Sequence, residues 1–207
     1  MNQRIFYKLM AKPYDLLETI YFHKRERSPR KAICDAINPS DVKILDLCTG
    51  TAINAIHIAQ QKLKARIIGI DLSKDMLHIA RKKIRKHNLN RIDLYQMDAT
   101  KTRFQKEVFD VIVIALVLHE IPRELAINII SEAKRILKPN GKILVMEWEE
   151  PKSFFQRIVF FPIKKLEPKG FDQFLKLDLK SYFLEYGLTI TEIRHCDYSK
   201  VISLEKL

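Results

Sequence analysis

Two short apolar runs, each ending in an acid, constrain this chain more than any other feature. Lys43–Ile44–Leu45–Asp46–Leu47–Cys48–Thr49–Gly50–Thr51–Ala52 reads as a buried strand that carries an acid near its end, then a turn of small residues that opens a helix. Ile67–Ile68–Gly69–Ile70–Asp71 reads as the next strand, its terminal acid 21 residues after Gly50. A strand–turn–helix–strand unit of this kind opens a crevice at the carboxyl ends of parallel strands, where a nucleoside-bearing ligand binds.

The residues discriminate between ligands. A dinucleotide loop uses G-x-G-x-x-G so that backbone can approach a pyrophosphate at a helix N-terminus. Those positions are Cys48, Gly50 and Ile53, and only the middle glycine is present. A carboxylate at Asp46, where the strand opens into the loop, repels a pyrophosphate. It suits a cation such as the ammonium and sulfonium of S-adenosylmethionine (SAM). Asp71 then accepts hydrogen bonds from ribose hydroxyls. The plain alternative is a nucleotide-free α/β domain with a glycine turn.

The 207 residues, 47% of them hydrophobic, fit one domain with a sizeable core. Cys34, Cys48 and Cys196 are widely spaced, form no metal pattern and suit a reducing compartment. The N-terminus is polar and charged, and the longest apolar run, Val111 to Leu118, is far too short to span a bilayer. The expectation is a cytoplasmic protein. A net charge of +12 raises nucleic acid or an anionic membrane as partners. The densest basic run, Arg81–Lys82–Lys83–Ile84–Arg85–Lys86, lacks the interleaved aromatics of a base-stacking surface. It reads as the solvated, cation-rich end of a helix, and nucleic acid is not the expected partner.

An amphipathic N-terminal region, Ile5 to Ile37, predicts two or three helices around Pro13 and Pro29. Strands are expected at Lys43–Leu47, Arg66–Ile70, Ile92–Gln96, Val108–Ala115 and Lys142–Trp148. Helices are expected at 52–62, from the N-cap Ser73 to Lys86, and at Arg123–Leu137, the last with Leu125, Ile129, Ile130, Ala133 and Ile136 on one face. Lys138–Pro139–Asn140–Gly141 should stop that helix and turn into the next strand. Four βα units predict an open parallel sheet with right-handed crossovers. Beyond it, the aromatic segment Phe154–Leu166 looks broken by Pro162 and Pro168, and Asp172–Tyr186 reads as a helix ending at Gly187. Leu188–Arg194 and Tyr198–Leu204 then read as a hairpin.

Several of these motifs together resemble class I SAM-dependent methyltransferases, and within them the ubiquinone/menaquinone-biosynthesis group. Phe6–Tyr7 through Ala11–Lys12–Pro13–Tyr14–Asp15 is similar to that group's N-terminal F-x₄–₅-A-x-x-Y-D pattern. Leu45 to Ala52 resembles its first motif, in a variant with Cys and Ala in place of glycines. Asp71-x-Ser73-x-x-Met76-Leu77 matches D-x-S-x-x-M-L, and Leu137–Lys142 leading into Val145–Met146–Glu147–Trp148 resembles the L-K-P-G-G entry to strand 5. The resemblance implies an α/β, Rossmann-like, seven-stranded and mostly parallel sheet with helices on both faces and a C-terminal antiparallel hairpin. One domain, 1–207, would divide into a helical cap (1–40), a cofactor-binding core (41–150), a substrate-side helical segment (151–187) and the terminal hairpin (188–207).

The resemblance also implies site residues. The cofactor would meet Asp46, Cys48, Gly50, Thr51, Asp71, Leu72, Asp98 and Ala99, with Gly50 and Thr51 beside the methionine moiety and Asp98–Ala99 at adenine. For Asp98 a turn former is the bland reading, and for Cys48 a small buried residue. No metal is expected. Methyl transfer needs chiefly an acceptor held about 3 Å from the methyl carbon, and a base only if the acceptor has a proton to lose. His119, in Val117–Leu118–His119–Glu120–Ile121–Pro122, is the candidate base, against packing or cofactor contact. His119–Glu120 is not a zinc motif, because the second His of H-E-x-x-H falls at Arg123. Tyr7, Tyr14, His119 and Phe155 are the candidate substrate contacts.

The exit from the fourth strand lacks the N/D-P-P-Y/F turn for exocyclic amino groups of bases, and no Pro-Cys pair for pyrimidine C5 chemistry occurs. Phe154 to Phe161 reads as core or, if exposed beside Lys152, Arg157, Lys164 and Lys165, as a lid or a peripheral membrane contact. The expected activity is methyl transfer from SAM to a small, apolar, quinone- or lipid-like acceptor. RNA methylation and SAM binding without catalysis are the rivals.

Overall fold

Apolar strands alternating with amphipathic helices build the sheet that the βα pattern demands. A computed structural model describes residues 27–166 and 171–207. Along the chain run α1 (Pro29–Ala36), β1 (Lys43–Leu47), α2 (Ile53–Gln61), β2 (Arg66–Asp71), α3 (Lys74–Lys86), β3 (Ile92–Gln96), β4 (Phe109–Ala115), α4 (Arg123–Ile136), β5 (Leu137–Trp148), α5 (Phe154–Leu166), α6 (Phe171–Leu175), α7 (Leu179–Leu184), β6 (Leu188–His195) and β7 (Ser199–Lys206). The expected helices before Pro29, with Tyr7 and Tyr14, lie outside the described residues, as does Pro168.

The seven strands form one sheet in the order β3-β2-β1-β4-β5-β7-β6. β1 to β5 are mutually parallel, and β7 runs antiparallel between β5 and β6. Val111 to Ile114 in β4 are buried on both faces, as a central parallel strand requires. One core cluster joins α1, α2, α3 and α5 to one face of the sheet, and a second joins α4 and α7 to the other. Pro29 occupies the first turn of α1, where its missing N–H costs nothing. Ser73 caps α3 by accepting from Met76 N at 3.3 Å.

Four local expectations are corrected. β5 begins at Leu137 rather than Lys142: register passes from Phe109↔Leu137 to Val111↔Lys142, so Asp110 alone faces Lys138–Gly141. Lys138 Nζ meets Asp110 Oδ1 at 2.5 Å, and a Cβ on Gly141 would lie 2.8 Å from the Asp110 carbonyl oxygen. The turn sequence therefore ends the helix without leaving the sheet, as a bulge. On α4, Ala126 takes the inward place expected for Leu125, which is exposed. α5 continues through Pro162, because Phe160 and Ile163 on its inner side are packed into the core and outweigh one missing hydrogen bond. The single helix expected at Asp172–Tyr186 is two, since Asp178 starts a new one by accepting from Lys180 N and Ser181 Oγ.

Candidate functional site

The sheet order reverses between β1 and β4, so the loops leaving their carboxyl ends diverge and open a crevice there. The loop after β1 holds Cys48 at φ 60°, Gly50 at φ 55° and Ala52 at φ 62°. Every second residue is thus left-handed, a conformation that costs a non-glycine residue about 1–2 kcal/mol. Cys48 and Ala52 are the two places where the resembling motif has glycine.

Hydrogen bonds fix this loop to β2. Thr49 N donates to Ile70 O at 2.9 Å, and Ala52 N to Thr49 O at 2.9 Å. The Asp71 carboxylate accepts from Gly50 N at 2.9 Å and from Ser73 N at 2.8 Å. Burial raises the Asp71 pKa against those two donors. Asp46 is 1% exposed and accepts from the Thr49 hydroxyl. Asp46 sits opposite Gly69 in the parallel register, and a Cβ on Gly69 would come within 3.1 Å of the Thr49 side chain. Gly69 is therefore what lets Thr49 close on Asp46. The Thr51 hydroxyl turns toward α3 and accepts from Lys83 Nζ at 2.9 Å.

The surroundings of Cys48 reveal the charge of the crevice. Its thiol pKa is pushed far up, first by burial and then by the carboxylates of Asp71, Asp46, Asp98 and Glu120. One acid comes from each of the four parallel strands β2, β1, β3 and β4 or the loop that follows it. Cys48 is consequently a protonated, unreactive thiol. Asp98 is exposed and accepts from Thr100 N at 2.8 Å and Thr100 Oγ1 at 2.7 Å, the turn-forming arrangement, with Ala99 buried behind it. Leu72 is exposed at the rim. Acidic groups around a crevice, with a carboxylate at the end of β2, fit a cationic ligand that carries ribose hydroxyls.

His119 lies on the loop after β4, in a second cluster. Its Nδ1 is 2.5 Å from Glu147 Oε2, and Leu118 N donates to Glu147 Oε1 at 2.9 Å. Glu147 is fully buried, because strand alternation places it in the row of Ile143 and Val145 that faces the α4 side of the sheet. A carboxylate at Glu147 would accept from His119 Nδ1–H, the tautomer that leaves Nε2 as the basic nitrogen. Phe171 and Phe174 of α6 pack on the imidazole, with centroids at 5.3 and 6.2 Å.

The structure thus brings Asp46, Cys48, Asp71 and Asp98 together. From the aromatic segment it is Phe160, at 6.2 Å from Phe171, that packs toward His119, whereas Phe155 is 78% exposed. Glu120, Glu147 and Gly69 carried no role in the sequence reading. The signal available for Glu147 was an acid inside an otherwise apolar strand.

Residues 44–141 match the family described as "Methyltransferase domain". The chain is 30% identical over 179 residues to the demethylmenaquinone methyltransferase of Bacillus velezensis, covering 85% of this chain and 74% of that one. To the enzyme of the same name from Bacillus subtilis it is 29% identical with the same coverage. Among solved structures, a SAM-dependent methyltransferase from Aquifex aeolicus superposes with a TM-score of 0.76 at 15% identity, covering 97% of this chain and 98% of that one. Magnesium protoporphyrin IX methyltransferase from Synechocystis, solved with bound S-adenosylhomocysteine (SAH), gives 0.72 at 17% identity, with 100% of both chains covered. At those identities the likeness shows the fold.

Proposed function

The chain belongs to the class I SAM-dependent methyltransferases, in the menaquinone group, and from that premise we propose that it methylates a small, apolar, quinone-like acceptor. The observation that carries the cofactor half is the loop after β1 held by two carboxylates, Asp71 accepting from Gly50 N at 2.9 Å and Asp46 from the Thr49 hydroxyl. When bound, SAM supplies a methyl group already activated by its sulfonium. Asp71 would hold ribose hydroxyls while anchoring Gly50 and Ser73, and Asp46 with Thr49 would set the loop beside the methionine moiety. Asp98 would keep Oδ1 on Thr100 and present Oδ2 toward the adenine amino group.

The acceptor half rests on His119 and on what lines it. A phenol or enol acceptor gives up a proton as it is methylated. His119 Nε2 is buried in the ligand-free fold, so it would take that proton only with Phe171 and Phe174 displaced by the acceptor, and Glu147 would stabilise the imidazolium that forms. Phe171 and Phe174 cover the ring, so an acceptor that reaches it would meet apolar surroundings. The names of the two Bacillus relatives favour a quinol-like acceptor. Exposed Lys74, Arg81, Lys82, Arg85 and Lys86 on α3 favour one rival, RNA.

Labelled SAM offered with a demethylated quinol, simple phenols and RNA tests the reading. Transfer to the quinol or phenols supports it, and transfer to RNA alone replaces it. Calorimetric binding of SAM with no transfer to any acceptor would leave a SAM-binding protein without catalysis.

A further inference from the structure

The thirteen-residue helix α5 carries two apolar faces where a helix packed on a globular core carries one. Its inner face is spent: Phe160 and Ile163 are each 1% exposed, and Phe160 packs on Trp148 at 5.8 Å and on Tyr198 at 6.1 Å. Its outer face leaves Phe154 72%, Phe155 78%, Ile158 58%, Val159 44% and Phe161 55% exposed. At 100° per residue these five fall on one arc of about 160°. A contiguous patch of that kind on a soluble domain marks a binding surface rather than a stray side chain.

Charge selects the occupant. Lys152 precedes the helix, Lys165 lies within the apolar arc with its Nζ 4.9 Å from the Phe161 ring centroid, and Arg157 and Lys164 border it. Lys164 is partly answered by Glu150 and Asp172, at 3.4 and 3.2 Å. The exposed apolar arc itself contains no acid, and the whole chain carries a net charge of +12. A second copy laid on this face would set lysine against lysine. An anionic bilayer instead accepts the rings below its headgroups while the lysines reach back to the phosphates.

We propose that the outer face of α5 is a docking surface for an anionic lipid bilayer. Phe154, Phe155, Ile158 and Phe161 enter the acyl boundary, and Lys152 and Lys165 rest at headgroup level. Docking requires no particular acceptor, and so stands apart from the acceptor proposed above.

The test is co-sedimentation of the full chain with vesicles of phosphatidylcholine alone and of phosphatidylcholine mixed with phosphatidylglycerol, at low and high salt. The chain should partition onto the anionic vesicles, less so in high salt and much less onto neutral ones. Phe154→Ser combined with Ile158→Ser should lower that partition by about tenfold or more. Lys152→Glu combined with Lys165→Glu, which removes no apolar surface, should lower it for anionic vesicles only. A wild-type chain that stays in the supernatant with anionic vesicles, or a serine pair that partitions like wild type, overturns the proposal. So does a wild-type dimer in sedimentation velocity that the serine pair dissociates, which would give the face to a second copy.

Discussion

His119 Nδ1 and Glu147 Oε2 stand 2.5 Å apart, with both side chains sealed from water. A carboxylate buried this deeply costs several kcal/mol unless its oxygens are satisfied, and the Leu118 N–H and the imidazole satisfy one oxygen each. Glu147→Gln tests what the pair is for. The amide oxygen keeps the Leu118 N–H, so the amide nitrogen must donate to His119 Nδ1 and drive the ring proton to Nε2. The kcat should fall about 10- to 100-fold, and His119→Gln should fall at least as far, while calorimetric affinity for SAH stays unchanged. A loss of melting temperature with kcat intact would assign both residues to packing alone.

Asp71 sets a pH dependence with a definite sign. Burial raises its pKa from the usual 3.8, so the fold holds the Asp71 proton more tightly than the unfolded chain does. The stability it contributes is full below that usual value and is lost as pH rises through the higher folded value. A cationic ligand reverses this by favouring the carboxylate. The thermal shift produced by SAM should therefore grow as pH rises through that window, and Asp71→Asn should abolish the growth and weaken SAH by about 10-fold or more. Calorimetric titrations at stepped pH read both quantities.

Gly69→Ala should act at a distance from any ligand atom. Its new Cβ would stand 2.7 Å from Leu94 Cδ2 and 3.1 Å from Thr49, tighter than packing allows. Overpacking of this kind costs about 1–3 kcal/mol, about 5 °C of melting temperature for a chain of this size. Because Thr49 holds Asp46, SAH affinity should fall together with stability. A melting-temperature loss with unchanged affinity would show that Thr49 moves without consequence.

Cys48→Gly should be nearly silent. The thiol is held protonated by burial and its acidic neighbours, and glycine relieves a left-handed residue at about 1 kcal/mol while adding unfolded-chain entropy of similar size. Calorimetric SAH affinity within about threefold, under 1 kcal/mol, and a melting temperature close to wild type are expected. A collapse of transfer activity in this variant would give the thiol a role the geometry does not.

What was legible in the chain followed from periodicity and from single decisive residues. β1 and β3 fall where alternation and apolar runs placed them, and Ser73 starts α3, because each depends on its own neighbours in sequence. The misses depend on partners far along the chain. Nothing local tells Lys138–Gly141 to bulge against Asp110, or lets α5 pass through Pro162. The acids of the crevice were legible at Asp46, Asp71 and Asp98 because strand ends locate them. Glu120 in the crevice and Glu147 beside His119 were not, since their places come from the loop after β4 and from the pairing of β5 between β4 and β7.

The left-handed residues at 48, 50 and 52 carry a lesson about how such loops are written. What the crevice needs is a zigzag of backbone angles, and glycine is only the least strained spelling of it. A cysteine and an alanine spell the same loop here, at an energetic cost that hydrogen bonds to β2 offset. A search keyed to three glycines would pass over this chain, whereas one keyed to torsion angles at alternate positions would find it.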